Sequence, residues 1–205
     1  MSWYSRWVFP YLCDWALQSA EVSVQRQFLL KSAVGRVLEI GFGTGLNLIH
    51  YPNTVVRLTV IDPNPGMHRL ARRRLRQMSI PVDACPLDGQ NLPFADGTFD
   101  TVVSTFTLCS IPDAARAVAE GYRVLSFKGR FLFLEHGLSP DAIVQRWQRR
   151  LNRVQMWLAD GCHLDRDIAM LIRQQTFADV QVESFYLQRV PRTHGYLFRG
   201  IALKA

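Results

Sequence analysis

Three things are missing from this sequence: an apolar run of bilayer-spanning length, a CxxC cysteine pair, and any repeated or low-complexity tract. Each absence narrows the class of protein. A transmembrane helix needs about 20 consecutive, mostly apolar residues, and no stretch here supplies them. The first twenty residues are rich in aromatic side chains, yet Arg6, Pro10 and Asp14 interrupt them, so no uninterrupted apolar core of a signal peptide is left. Cys13, Cys85, Cys109 and Cys162 lie far apart. Their spacing suggests neither a zinc site nor a redox motif, and no metal is expected. Reduced thiols, and with them the cytoplasm, are the expectation.

What is present fits one globular unit. A chain of 205 residues with 48% hydrophobic and 20% charged residues can bury a sizeable core. The formal charge of +7 rests on arginines spread over several predicted helices, the pattern of a solvated surface, so nucleic acid is not the expected partner.

The segment Arg36 to Asn47 organises the rest. Val37, Leu38 and Ile40 read as a buried strand, and Gly41, Gly43 and Gly45 form a turn whose backbone can approach a ligand without β-carbons in the way. The spacing is GxGxG. A dinucleotide-binding fingerprint would need glycine where Leu46 stands. Leu46 to Tyr51 is predicted as a short helix with its first amides toward the ligand, ended by Pro52. A second strand, Val55 to Ile61, leads to Asp62 and the turn Pro63-Asn64-Pro65-Gly66, and a helix with Met67, Leu70, Ala71 and Leu75 on one face follows. In parallel α/β sheets ligands lie at the carboxyl ends of strands, where Asp62 can accept both hydroxyls of a ribose. Asp88, just after a third strand at Val82 to Pro86, is positioned to accept a hydrogen bond from an adenine amino group.

Upstream, Trp3, Trp7, Tyr11 and Trp15 recur every fourth residue, one face of a helix begun or kinked at Pro10. These rings are expected to pack on the core; a lid over the cofactor mouth or a membrane-surface patch is the alternative. Downstream, strands are predicted at Phe99 to Thr105, Phe131 to Leu134, Val180 to Phe185 and Tyr196 to Leu203. Helices are predicted at Arg116 to Leu125, Asp141 to Leu158 and Asp165 to Thr176. Ile143, Trp147, Leu151, Val154 and Leu158 mark one face of the long helix. No linker divides the chain. Residues 1–34 read as an N-terminal helical cap and residues 35–205 as one compact domain.

The glycine turn with Glu39 before it, the acidic end of the second strand, the run from Leu92 to Asp113 with its Asp-Gly-x-Phe-Asp entry at Asp96 to Asp100, and the fifth strand occur in one order. That order resembles class I S-adenosylmethionine (SAM)-dependent methyltransferases. The resemblance implies a Rossmann-like seven-stranded α/β sheet, mostly parallel with the last strand antiparallel, and SAM as cofactor with S-adenosylhomocysteine as product. It implies a cofactor site made of Glu39, Gly41, Gly43, Gly45, Asp62, Pro63, Met67, Asp88, Gly89 and Thr105. Tyr51-Pro52, Ile61 to Pro65, Leu108-Cys109-Ser110, Glu135-His136 and Asp160-Gly161-Cys162 are similar to the alkyl-thiol methyltransferases and their bacterial relatives, with a more general likeness to quinone and phospholipid methyltransferases. The animal members carry an N-terminal hydrophobic anchor that has no counterpart in this sequence.

A small soft or lipophilic acceptor, foremost a thiol, is therefore the expected substrate, with peripheral membrane contact through the aromatic cap as a further expectation. His136, beside Glu135 at the end of the fifth strand, is the candidate base for deprotonating such an acceptor. An RNA or protein acceptor is disfavoured: Ser104 to Leu108 lacks the Asn/Asp-Pro-Pro-aromatic sequence with which many amino-methylating enzymes of nucleic acids hold a base. A SAM-binding protein without turnover is the remaining alternative.

Overall fold

The computed structural model describes residues 1–205. Strand periodicity splits the core in two. Alternate residues of β1 (Gly35–Ile40), β2 (Val55–Ile61), β4 (Phe99–Thr105) and β5 (Leu125–His136) point to opposite faces of one sheet. Leu38, Ile40, Val102, Phe131 and Phe133 pack with Ala117 and Val118 of α5 (Ala114–Val124) and with Ile168 and Ile172 of α7 (Ile168–Arg173). Val37, Leu58, Val60, Val103 and Leu132 pack with Val22, Leu29 and Leu30 of α3 (Ala20–Leu30) and Ala71 of α4 (Pro65–Leu75). Burial on both faces is why these strands read as continuous apolar runs rather than alternating ones.

With β3 (Val82–Cys85), β6 (Asp179–Tyr186) and β7 (Tyr196–Leu203), the sheet has seven strands in the order β3-β2-β1-β4-β5-β7-β6. β7, the last strand in the chain, runs antiparallel to both its neighbours. The parallel register is what builds the site. Ile40 pairs with Ile61 and with Ser104, and Ile61 pairs with Cys85, so β1, β2, β3 and β4 end at one edge. The chain order reverses between β1 and β4, the switch point at which open α/β sheets leave a crevice.

Three local expectations are not met. The segment after the glycine turn is not an α-helix; a single 3-10 turn, Leu48–His50, is all that forms before Pro52. Tyr51 is drawn inward to Glu39, which forecloses further helical turns. β5 begins at Leu125, straight after α5, rather than at Phe131, and the residues between form an irregularity within it, with Lys128 in the left-handed region at φ 59°. The third concerns the cap. Pro10 sits in the first turn of α2 (Phe9–Leu17), which follows the short α1 (Trp3–Trp7). Trp3 is 71% exposed and Trp15 75%, and Trp7 and Tyr11 are exposed too, so these rings do not pack on the core. The cap is held by polar latches instead. Asp14 accepts from Thr44 Oγ1 at 2.5 Å and Arg74 Nη1 at 2.7 Å; Ser5 Oγ donates to Asp160 Oδ2 at 2.6 Å; Asn64 Nδ2 donates to the Ser5 carbonyl at 2.8 Å.

The long helix α6 (Ala142–Leu158) has the same character. Ile143, Trp147, Val154, Trp157 and Leu158 are exposed, while Val144 and Gln148 face inward. Its carboxyl end meets the cap, where Tyr4 Oη donates to the Leu158 carbonyl at 2.6 Å.

Candidate active site

A cavity of about 360 Å³ lies over the carboxyl edge of β1, β2 and β4. That is a volume suited to a small-molecule site. Its floor is the glycine turn. Gly41 has φ +67°, and a β-carbon there would collide with the Thr107 side chain; Gly43 has φ +55° and nothing within 4 Å of its would-be β-carbon. The floor is thus bare backbone, open to a ligand. Asp62 stands beside it because its carboxylate accepts from the Gly43 amide at 3.1 Å and the Asn64 amide at 2.8 Å. Burial pushes the Asp62 carboxyl up to about 6, against the pull of those two amides.

Of the residues expected to hold a cofactor, Gly41, Gly43, Asp62, Pro63, Met67, Asp88, Gly89 and Thr105 line this cavity. Glu39 and Gly45 do not; they support the floor from beneath. Glu39 is 1% exposed and accepts from Asn47 Nδ2 at 2.8 Å and Tyr51 Oη at 2.6 Å. Burial raises its carboxyl above the ordinary range, opposed by those hydrogen bonds and by the charge of Arg26. Gly45 has φ +83° and carries the chain out of the turn.

Arg26 is the residue that sequence reasoning missed. It is 4% exposed, lines the cavity, and donates from Nη1 to Asn47 Oδ1 at 2.7 Å and Thr105 Oγ1 at 2.8 Å, while its Nε has no partner. The signal was available. Val22, Arg26, Leu29 and Leu30 form the buried stripe of α3, and a lone arginine in a core-facing stripe calls for a buried counter-charge. Glu39 supplies it.

The other wall and roof are largely apolar: Met1, Phe9, Cys13 and Leu17 come from the cap, and Phe106, Ile111 and Pro112 from the loop after β4. Burial pushes the Cys13 thiol up to about 12, so it stays protonated. No histidine is among the lining residues.

Glu135 and His136 are outside the cavity wall, and the geometry gives neither a route to an acceptor. Glu135 is fully buried; its carboxylate accepts from Ser104 Oγ and the Thr107 amide, both at 2.8 Å, and so fastens the loop after β4 to β5. His136 points the other way, with Nε2 2.8 Å from Cys162 Sγ. The expected acid–base pair is therefore a pair of interior groups on opposite sides of one strand, as strand alternation requires.

A bare glycine floor and a strand-end carboxylate at the switch point define an α/β nucleoside-binding enzyme fold. Residues 38–133 match the methyltransferase domain family. The chain is 34% identical to thiol S-methyltransferase TMT1B of Rattus norvegicus over 72% of its own length, and spans 62% of that relative. It is 31% identical to phosphatidylethanolamine N-methyltransferase of Cereibacter sphaeroides, covering 95% of this chain and 92% of that one. A Thermotoga maritima SAM-dependent methyltransferase structure, described as a possible histamine N-methyltransferase, superposes with a TM-score of 0.70 at 19% identity, covering 98% of each chain. The chain belongs to the class I SAM-dependent methyltransferases, whose cofactor is S-adenosylmethionine. No helix is long and apolar enough to cross a membrane.

Proposed function

We propose that this protein transfers the methyl group of SAM to a small, lipophilic acceptor, foremost a thiol. The observation that carries the reading is the contrast within one cavity, polar backbone and Asp62 on the floor against an apolar roof and wall without a histidine. Bound SAM supplies a methyl carbon made electrophilic by its sulfonium, so the protein has chiefly to align the acceptor and exclude water. Asp62 accepts hydrogen bonds from the ribose, the glycine turn lets the cofactor approach the backbone, Asp88 meets the adenine, and Arg26 offers its unpartnered Nε–H to the cofactor's carboxylate. Phe9, Leu17, Phe106 and Ile111 enclose the acceptor. With no histidine in the wall, an acceptor that ionises by itself fits best. A thiolate meets that demand because thiols, with a pKa of about 8.5, already supply a small nucleophilic fraction at neutral pH, and the thiol S-methyltransferase relative supports the same choice.

A second reading, methylation of a phospholipid amine, has its own support in the end-to-end match to the bacterial phosphatidylethanolamine enzyme. Both acceptors suit a protein that touches lipid. Arg69 lies 4.2 Å over the Trp7 ring, and Arg72, Arg73 and Arg76 are exposed on the same helix, so an anionic bilayer surface complements the cap. The four free cysteines fit the reducing cytoplasm.

Labelled SAM, offered with small thiols, quinols and phosphatidylethanolamine vesicles, tests the assignment. Label on thiols, with a pH profile that follows the pKa of each thiol, is the expected result. Label confined to RNA or protein would overturn it, and label on the lipid amine would select the second reading.

A further inference from the structure

Behind the acceptor wall, three side chains with no part in the proposed reaction converge. Cys109 comes from the loop after β4, His136 from the end of β5, and Cys162 from the turn after α6. Their donor atoms all lie within 4.8 Å of one another, and all three residues are buried. His136 Nε2 is 2.8 Å from Cys162 Sγ, and the two sulfurs are 3.6 Å apart. We infer that Cys109, His136 and Cys162 form a binding site for a thiophilic d10 cation, zinc or cuprous copper.

The donor chemistry carries the inference. Two thiols and one imidazole, with no carboxylate among them, select soft cations over magnesium or calcium. Metal–sulfur bonds of about 2.3 Å and metal–nitrogen bonds of about 2.0 Å put donors around one ion roughly 3.4–4 Å apart. The sulfur–sulfur spacing already falls in that range, and the imidazole, 2.8 Å from Cys162 Sγ, needs to withdraw by roughly 0.6–1.2 Å. The orientation of His136 agrees: its Nε2, the nitrogen that would ligate, is aimed at Cys162 Sγ, and no hydrogen bond at the buried Nδ1 fixes the ring in another direction. Charge agrees as well: two thiolates neutralise a zinc ion in the interior, where a net charge would be costly. Three protein donors complete a trigonal cuprous site and leave zinc one open position.

The site also has a mechanical consequence. The loop carrying Cys109 supplies Phe106, Ser110 and Ile111 to the cavity, and the turn carrying Cys162 supplies Asp160. The two are already joined by a hydrogen bond from the His163 amide to the Cys109 carbonyl at 2.9 Å. A bound ion would pin the acceptor wall to the end of α6.

The full chain, reduced with a phosphine and desalted, is titrated with zinc or with cuprous ion against a chromophoric chelator, and with cobalt as a spectroscopic stand-in. One ion per chain, a thiolate-to-cobalt charge-transfer band, and a melting temperature raised by about 5 °C at saturating ion are expected. Which ion competes better distinguishes a zinc from a copper site. Cys109→Ser, Cys162→Ser and His136→Gln each weaken binding by at least about 100-fold, while Cys85→Ala leaves it unchanged. Should a ligand variant fail to fold, alkylation of the wild type serves instead, since ion must protect Cys109 and Cys162 but not Cys85. Absence of stoichiometric binding by the reduced protein overturns the site. So does binding that survives Cys162→Ser, or a Cys109–Cys162 disulfide formed by peroxide in a protein that binds no ion when reduced.

Discussion

The floor and the cap of this protein solve opposite problems with opposite surfaces. On the floor, charge is taken out of water: Glu39 and Arg26 are almost wholly buried and are held there by hydrogen bonds with Asn47, Tyr51 and Thr105. On the cap, apolar rings are left in water: Trp3, Trp7 and Trp15 are exposed, and Trp157 and Leu158 extend that surface from α6. The floor binds a polar cofactor that has the same shape for any acceptor, so a fixed network suits it. Under the proposed function the cap faces the source of the acceptor, and its exposed rings are the surface on which a lipid phase would dock.

That contrast can be broken from either side. Removing Arg26 as Arg26→Met takes the donor from Asn47 Oδ1 and Thr105 Oγ1 and a nearby positive charge from buried Glu39, and should cost about 1–3 kcal/mol. Chemical denaturation would show it, and Arg26→Met combined with Glu39→Gln should recover part of the loss. Asp62→Ala should keep the fold and remove the carboxylate proposed to accept from the ribose hydroxyls, weakening SAM binding about 100-fold by calorimetry. Changing Trp3, Trp7 and Trp15 together to Ser should lower partition onto anionic vesicles about tenfold or more and raise the KM for lipophilic acceptors. The same variant should leave the SAM Kd where it was; a loss of SAM affinity would mean that cap and floor are one unit.

The smallest effect is a titration. Asp62 has a carboxyl pKa of about 6 in the folded protein, above the ordinary carboxylate value near 4. The stability it contributes is therefore full below pH about 4 and is lost as pH rises through about 6. SAM binding, which uses the carboxylate form, gains over the same window and should be about tenfold tighter at pH 7 than at pH 5. Asp62→Asn should flatten both slopes.

Much of the floor was legible before folding. The strand, glycine turn, strand and acidic end follow from buried-strand periodicity and from backbone freedom at Gly41 and Gly43, which are local properties. Asp62 and its neighbours were placed by the same reasoning, because parallel register puts strand ends together. The cap was misread for a related reason. A four-residue repeat of aromatics states that the rings share a face, not which way that face looks, and the latches at Asp14 and Ser5 turned it outward. Arg26 and the Cys109–His136–Cys162 cluster escaped notice because their partners lie far away in the chain, as with the two cysteines, 53 positions apart.

The sequence by itself therefore determined a mostly parallel α/β domain, the glycine floor and the strand-end carboxylate, since these depend on periodicity and on φ preferences within a few residues, while the seven-stranded sheet with its last strand antiparallel followed from the family resemblance. Only the tertiary structure decided which groups meet across the chain. It turned His136 toward sulfur rather than toward the cavity, linked Arg26 to Glu39 through Asn47, and left the cap's rings in solvent, because packing direction is set by contacts that no local pattern encodes.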